Sequence, residues 1–204
     1  GAHSATEPPG DGAESLAGLR PPVQVRERLL HERHDLLRDR AAVTRDLEAT
    51  RHFYEDLLGL PLIATWCEKE TLLGKMRTYC HAFFGIGDGG ALAFFQFADA
   101  ADHEELAPDM PFCLFQHQAY KVDADTQAAI KARVLAAGYE EPRFMELEHG
   151  YCHSIYITDP NGCIIEFTVD SQDGLDIAPA RRASAHGDLK RWLAGDHTPN
   201  NVLR

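Results

Sequence analysis

Long apolar runs are missing from this 204-residue chain. None approaches the roughly 20 residues needed to cross a bilayer, and the N-terminus lacks the basic-then-apolar layout of a signal peptide. Both absences point to a cytoplasmic location with no membrane partner. Cysteine is sparse: five residues, at positions 67, 80, 113, 152 and 163, scattered and with no C-x-x-C pair. An odd, scattered set excludes a disulfide framework or a zinc knuckle and reads as free thiols in a reducing compartment. Basic charge is in deficit, because 20 Lys and Arg stand against 32 Asp and Glu, a formal charge of −12. Such a surface repels phosphate backbones and anionic lipid, so nucleic acid is not an expected partner. There is no G-x-S-x-G, no phosphate loop and no H-E-x-x-H. Cys80 and Cys152 also lack a basic neighbour on their own strand face, which argues against thiol catalysis. What remains, 44% apolar and 25% charged, is an ordinary globular composition long enough for one or two modest domains.

Residues 1–22 are rich in Gly, Pro, Ala and Glu and read as a flexible tail. "VQVRERLLHERHDLL" then sets Val25, Leu29, Leu30 and Leu37 at roughly helical spacing, which predicts an amphipathic helix over 23–35. The far end, 171–204, reads as an arm with one short helix around Leu189 to Leu193, stopped by Gly195 and followed by Pro199.

Between these ends the chain repeats itself. "RDLEATRHFYEDLLGL" offers Asp46 as helix cap and Gly59 as stop; "DADTQAAIKARVLAAGY" offers Asp125 and Gly138. Cap to glycine is 13 positions in both copies (46 to 59, 125 to 138). A strand-like run precedes each helix and three more follow. The last two enclose a Gly-rich turn in one copy and Asp-Pro-Asn-Gly in the other, and each begins with Tyr-Cys-His, at 79–81 and 151–153. The reading is α+β: two tandem βαβββ units, at about 36–97 and 115–170, flanked by an N-terminal helix and a C-terminal helical arm.

The phrases "VTRDLEATRHFYEDLLGLPL" and "YITDPNGCIIEF", with the similarity spanning about residues 36 to 170, resemble the vicinal oxygen chelate (VOC) superfamily. This superfamily includes glyoxalases, extradiol ring-cleaving dioxygenases, fosfomycin-resistance thiol transferases and bleomycin-binding proteins. The resemblance implies a cupped mixed sheet built from both units, with a divalent metal at its floor and ligands on the first and last strands of the units.

Matched position by position, the resemblance implies Asp39, His117 and Glu166 as metal ligands. Glu166 stands among Ile164, Ile165 and Phe167, where an unpaired carboxylate would cost several kcal/mol if buried; an exposed strand face fits the alternation equally. His117, in "FQHQAYKV", reads either as a hydrogen-bonded core histidine or as a ligand. Relatives carry histidine where this chain has Asp39, which could bind metal through oxygen or simply pair with Arg38 or Arg40. The fourth position falls near Phe94, with Gln96 two residues on, and an apolar residue there leaves positions open for substrate. Ser154 and Tyr156 share the Glu166 face by the same pattern and are candidate substrate contacts, able to hold an oxyanion or donate a proton. His81 and His153 are reserve ligands expected behind the sheet, and His34, His52 and His149 are more distant reserves. The aromatic residues, among them Phe83, Phe84, Phe95, Phe97, Phe112 and Phe115, supply a wall.

The expected function is a metal-dependent enzyme acting on a small molecule with two chelating oxygens. The favoured reaction is a non-haem dioxygenase of extradiol type, with Fe(II) favoured and Mn(II) or Zn(II) as other metals. Glyoxalase, isomerase or lyase chemistry is the alternative, as is a metal-free protein that binds a drug or metabolite. A homodimer is expected.

Overall fold

The computed structural model describes residues 39–107 and 113–203, without the side chain of Asp39. The expected tail at 1–22 and helix at 23–35 lie outside the described residues, as does Phe112.

Two mixed sheets organise the described chain, and they share one order. Strand β1 (Asp39–Val43) leads into helix α1 (Leu47–Arg51), which widens into a π-helical turn over His52–Leu57. Then come β2 (Leu62–Leu72), β3 (Lys75–Gly85) and β4 (Ala91–Phe97). A short helix, α2 (Ala100–Leu106), ends the first unit. The second unit runs β5 (His117–Lys121), α3 (Ala124–Ala136), β6 (Phe144–Glu148), β7 (Cys152–Thr158) and β8 (Ile164–Asp170). The sheet orders are β1-β4-β3-β2 and β5-β8-β7-β6, with the outer first strand parallel to the last and the others antiparallel. Each βαβββ unit thus forms its own four-stranded mixed sheet, as the α+β reading of two tandem units expects, and no ladder joins the two among the described residues.

Local chemistry explains the elements. Asp46 caps α1 by accepting from the Ala49 N–H at 2.9 Å. In the second unit the cap is Asp123, accepting from Thr126 N at 2.7 Å, and not Asp125, which sits in the first helical turn. Two aspartates lie within three residues there, and only the one still in extended conformation can bend its carboxylate back onto the free N–H groups. Gly59 and Gly138 stop the helices as expected, both at φ +80°, a left-handed conformation that costs glycine little.

One face of each sheet meets the helices. Phe84, Leu92 and Phe94 from the first sheet join Ile155, Ile157, Ile165 and Phe167 from the second around Phe53, Tyr54, Ile130 and Val134 of the helices. Buried apolar surface is worth about 25 cal/mol per Å2, so this shared core holds both units together. A polar clamp reinforces it. The buried Asp159 of the Asp-Pro-Asn-Gly turn accepts from Tyr54 OH at 2.9 Å and from the N–H groups of Asn161 and Cys163 at 2.8 Å. That turn is therefore an anchor for α1. Burial pushes the Asp159 carboxyl above its ordinary value, against the opposing pull of those donors.

The C-terminal arm differs from expectation. Helix α4 runs over Gln172–Leu193, 22 residues capped by Ser171, with Pro179 inside it and no buried residue. The helix is far longer than the short one expected around Leu189 to Leu193, because the run is rich in Ala and Arg, and good helix formers carry the segment through the one hydrogen bond lost at Pro179.

Candidate functional site

The face of the second sheet turned away from the helices is polar. Strand alternation puts Cys152, Ser154 and Tyr156 of β7 beside Glu166 and Thr168 of β8, with His117 and Ala119 of β5 next to them. Glu166 is 6% exposed and Tyr156 5%. The Tyr156 hydroxyl donates to Glu166 Oε1 at 2.9 Å, and His117 Nε2 lies 2.9 Å from Glu166 Oε2. Both carboxylate oxygens are thus engaged from opposite sides. His149, from the loop before β7, completes a chain, its Nε2 lying 3.0 Å from Tyr156 OH. Because the Tyr156 proton goes to Glu166, His149 is the donor in that contact. Burial, and then the hydrogen bond to Glu166, hold the Tyr156 phenol well above its ordinary value, while a Ser154 contact acts weakly the other way. Thr168 Oγ1, on the same face, is buried and has no hydrogen-bond partner among the described residues.

The His117–Glu166 contact carries chemical information. His117 Nδ1 sits 2.8 Å from the Leu114 carbonyl, which can only accept, so Nδ1 bears a proton. A neutral ring then presents a lone pair at Nε2, facing a carboxylate that also offers lone pairs. Two electron pairs at 2.9 Å repel unless a proton or a metal ion lies between them. A histidine whose far nitrogen is fixed by a backbone carbonyl, beside a buried carboxylate, offers donors of the kind that divalent metal sites use. The residues fit the ion that the fold resemblance implies. Among the described residues no group of three His, Cys, Asp or Glu side chains converges, the side chain of Asp39 lying outside them.

The ladders show which positions of the two units correspond. Asp39 pairs with Ala91 as His117 pairs with Ile164, so Asp39 occupies the His117 position of the first unit. Ala93 pairs with Ala41 as Glu166 pairs with Ala119, so the fourth position is Ala93. Phe94, one residue on, points to the helices, with its ring 4.8 Å from that of Tyr54. Gln96 shares that side, and its Oε1 accepts from Leu47 N at 2.8 Å. Neither reaches the His117–Glu166 pair, which corrects their expected place on the site face.

The repeated phrase is corrected as well. The turns align Gly85↔Ala91 with Thr158↔Ile164, so Cys80 corresponds to His153 and His81 to Ser154. A slip of one residue exchanges the faces. His153 does lie behind its sheet, where its Nδ1 meets Gln127 Oε1 at 2.9 Å and its Nε2 meets Glu146 at 3.0 Å. His81 lies on the opposite face of its sheet from the helices, stacked on Phe95 at 3.7 Å and close to Phe83 at 4.1 Å. Of the expected aromatic wall, Phe83 and Phe95 share this face, Phe84 belongs to the helix-side core, and Phe115 is exposed.

His149 and Thr168 are the residues that sequence reasoning undervalued. His149 stood only among the distant reserve ligands; its seven-residue separation from Tyr156 spans a loop whose path no periodicity reports. Thr168 sits two positions after Glu166, so alternation alone could have placed it.

The profile of the Glyoxalase/Bleomycin resistance protein/Dioxygenase superfamily matches residues 38–167. The chain belongs to this superfamily. The chain is similar to a glyoxalase/dioxygenase from Nostoc punctiforme (20% identity, TM-score 0.48, covering 78% of this chain and 100% of that one). It is also similar to lactoylglutathione lyase from Agrobacterium tumefaciens (22%, 0.41, 65% and 92%). A third case is the fosfomycin resistance protein FosX from Listeria monocytogenes (16%, 0.46, 66% and 92%), which has also been crystallised with Mn(II) and sulfate. Likenesses this distant concern the fold alone. No protein of curated function matches the chain. Superfamily membership agrees with the two βαβββ units. It leaves the reaction open. No helix among the described residues is long and apolar enough to cross a membrane.

Proposed function

We propose that the chain is a metal-dependent enzyme acting on a small organic molecule with two chelating oxygens, of the extradiol ring-cleaving dioxygenase type. The supporting observation is the relay His149–Tyr156–Glu166–His117, buried at Tyr156 and Glu166. A protein that only sequesters a ligand has no need of linked proton donors beside a carboxylate. His117 and Glu166 would hold the ion, with Asp39 as the third ligand because it occupies the corresponding strand position in the first unit. Fe(II) is the favoured ion and Mn(II) or Zn(II) the others; when bound, it would supply Lewis acidity and, if iron, a means of activating dioxygen. Tyr156 keeps its proton and can deliver it to a developing oxyanion, His149 can replace that proton, and Ser154 offers a second hydroxyl. Phe83 and Phe95 suit a flat aromatic substrate. We also propose a homodimer through the exposed apolar side chains of α4.

The test is reconstitution with Fe(II) without oxygen, followed by oxygen uptake on a panel of substituted catechols and, in parallel, an assay on a hemithioacetal. Glu166→Ala and His117→Ala should lose the metal and all turnover, and Asp39→His should keep the metal. Asp39→Ala with full occupancy and normal turnover would remove Asp39 from the ligand set. Isomerase activity on the hemithioacetal without oxygen uptake would replace the dioxygenase reading by the glyoxalase one. Inability to bind any divalent ion would leave a binding protein.

A further inference from the structure

Cys67 and Cys80 sit directly opposite each other on the antiparallel strands β2 and β3, with their sulfurs 3.8 Å apart. All five cysteines are free thiols; Cys67 is exposed and Cys80 partly covered. Directly opposed residues on antiparallel strands have Cα atoms about 4.5–5.5 Å apart, within the span a disulfide accepts. Closing the bond therefore needs side-chain rotation and no backbone shift.

The position in the sheet is informative too. Strand β3 pairs with β4 only from Tyr79 to Gly85, while its pairing with β2 continues out to Leu72↔Lys75. Beyond Tyr79 the hairpin is a two-stranded ribbon, an arrangement that is marginal by itself in water. Cys67–Cys80 lies at the root of that ribbon, one residue inside the last three-stranded row. The ribbon carries exposed apolar side chains, Leu73 and Met76, and Trp66 flanks its root.

We propose that Cys67 and Cys80 form a reversible dithiol–disulfide centre, oxidised by hydroperoxides, that staples the root of the β2–β3 ribbon. The exposed Cys67 sulfur attacks a peroxide oxygen; the O–O bond breaks, Cys67 becomes a sulfenic acid, and water leaves. The Cys80 sulfur then attacks the Cys67 sulfur, the S–S bond forms, and the sulfenic oxygen departs as a second water. Two thiols and one hydrogen peroxide give one disulfide and two waters, and a dithiol reductant reverses the change. Burial, and then the neighbouring Cys67 thiol, hold Cys80 above the ordinary thiol value, which suits it to the resolving rather than the attacking role. A hydroperoxide is small and uncharged, so the acidic surface does not repel it.

The experiment treats the full chain with equimolar hydrogen peroxide and maps disulfides by mass spectrometry. The expected product is a link between tryptic peptides 52–69 and 78–121, assigned to Cys80 rather than Cys113 by fragmentation and removed by dithiothreitol. In Cys80→Ser, a sulfenic-acid trap should label Cys67; in Cys67→Ser, Cys80 should stay unlabelled. Amide exchange over 68–79 should slow at least tenfold in the linked form. A different first pair, intermolecular Cys67 dimers as the main product, or preferential labelling of Cys80 would overturn the centre. Unchanged exchange in the linked form would overturn the staple.

Discussion

Tyr156→Phe separates the hydroxyl of the relay from everything else the side chain does. The ring is buried and meets His117 edge-on at 5.4 Å between centroids, and phenylalanine preserves that packing. What is lost is the donor to Glu166 Oε1 and the acceptor for His149. A hydrogen bond to a charged group contributes about 1.5–3 kcal/mol, and Glu166 is too buried for water to replace it freely. For a domain of this size, about 2–4 °C of Tm accompanies each kcal/mol, so a fall of roughly 3–12 °C is expected by thermal melting. Urea unfolding of chelator-treated protein measures the free-energy loss itself, and an unchanged m-value would show that the loss is local. The sign of the pH dependence follows from the raised phenol. The protonated form is favoured in the fold, so the parent's advantage over the variant is complete below the unfolded value, 10.0. It disappears only as pH rises through the higher folded value. Turnover should fall by about 10²–10⁴, the usual worth of a positioned acid or base. Equal urea midpoints, together with a loss of turnover below about tenfold, would refute the relay.

Phe94→Ala tests the placement of that ring among the helices. It should cost about 3–5 kcal/mol by urea unfolding, as for other buried aromatics, while metal affinity measured by titration stays within about twofold, because Phe94 faces Tyr54 and not His117. A large loss of metal affinity with little loss of stability would return Phe94 to the site. The dimer proposal rests on Leu175, Leu189, Trp192 and Leu193, which α4 leaves exposed; sedimentation should give twice the chain mass at micromolar concentration, and Trp192→Glu should shift it toward one. A parent that sediments as a single chain would end that idea.

The sequence carried the repeat, the glycine stops and the side of the second sheet on which Glu166, Tyr156 and Ser154 lie. These follow from period-two alternation and left-handed glycine, rules that act within a few residues. It misjudged what depends on register. The Tyr-Cys-His phrases share wording but differ by one step relative to their turns, and only the hydrogen-bond ladder reveals that step. Asp125 fails as the cap for a related reason: equal spacing says nothing of which residue is still extended, and that residue is Asp123, two positions earlier. His149 was obscure because loops bring distant residues together without any periodic trace.

Corrected register also shows how the duplicated unit has diverged. The positions of His117, Glu166, Tyr156 and Ser154 in the second unit are held in the first by Asp39, Ala93, Phe83 and His81. Buried polar groups are tolerated only when each finds a partner, and the second sheet meets that condition with a continuous chain from His149 to His117. On the first sheet Ala91, Ala93 and Phe83 close into a small apolar cluster with His81 stacked on Phe95, while the buried Arg77 of the same face pairs with Asp102 and Glu105. Mutational tolerance should follow the same division. At the relay positions of the second sheet a single deletion leaves a neighbour unpaired, whereas at Phe83, which holds the Tyr156 position of the first, it removes packing. A proton relay carried by the second unit leaves the first, apart from Asp39, free to vary the shape and polarity of its wall. That is the freedom a shared fold needs if its members are to act on different substrates.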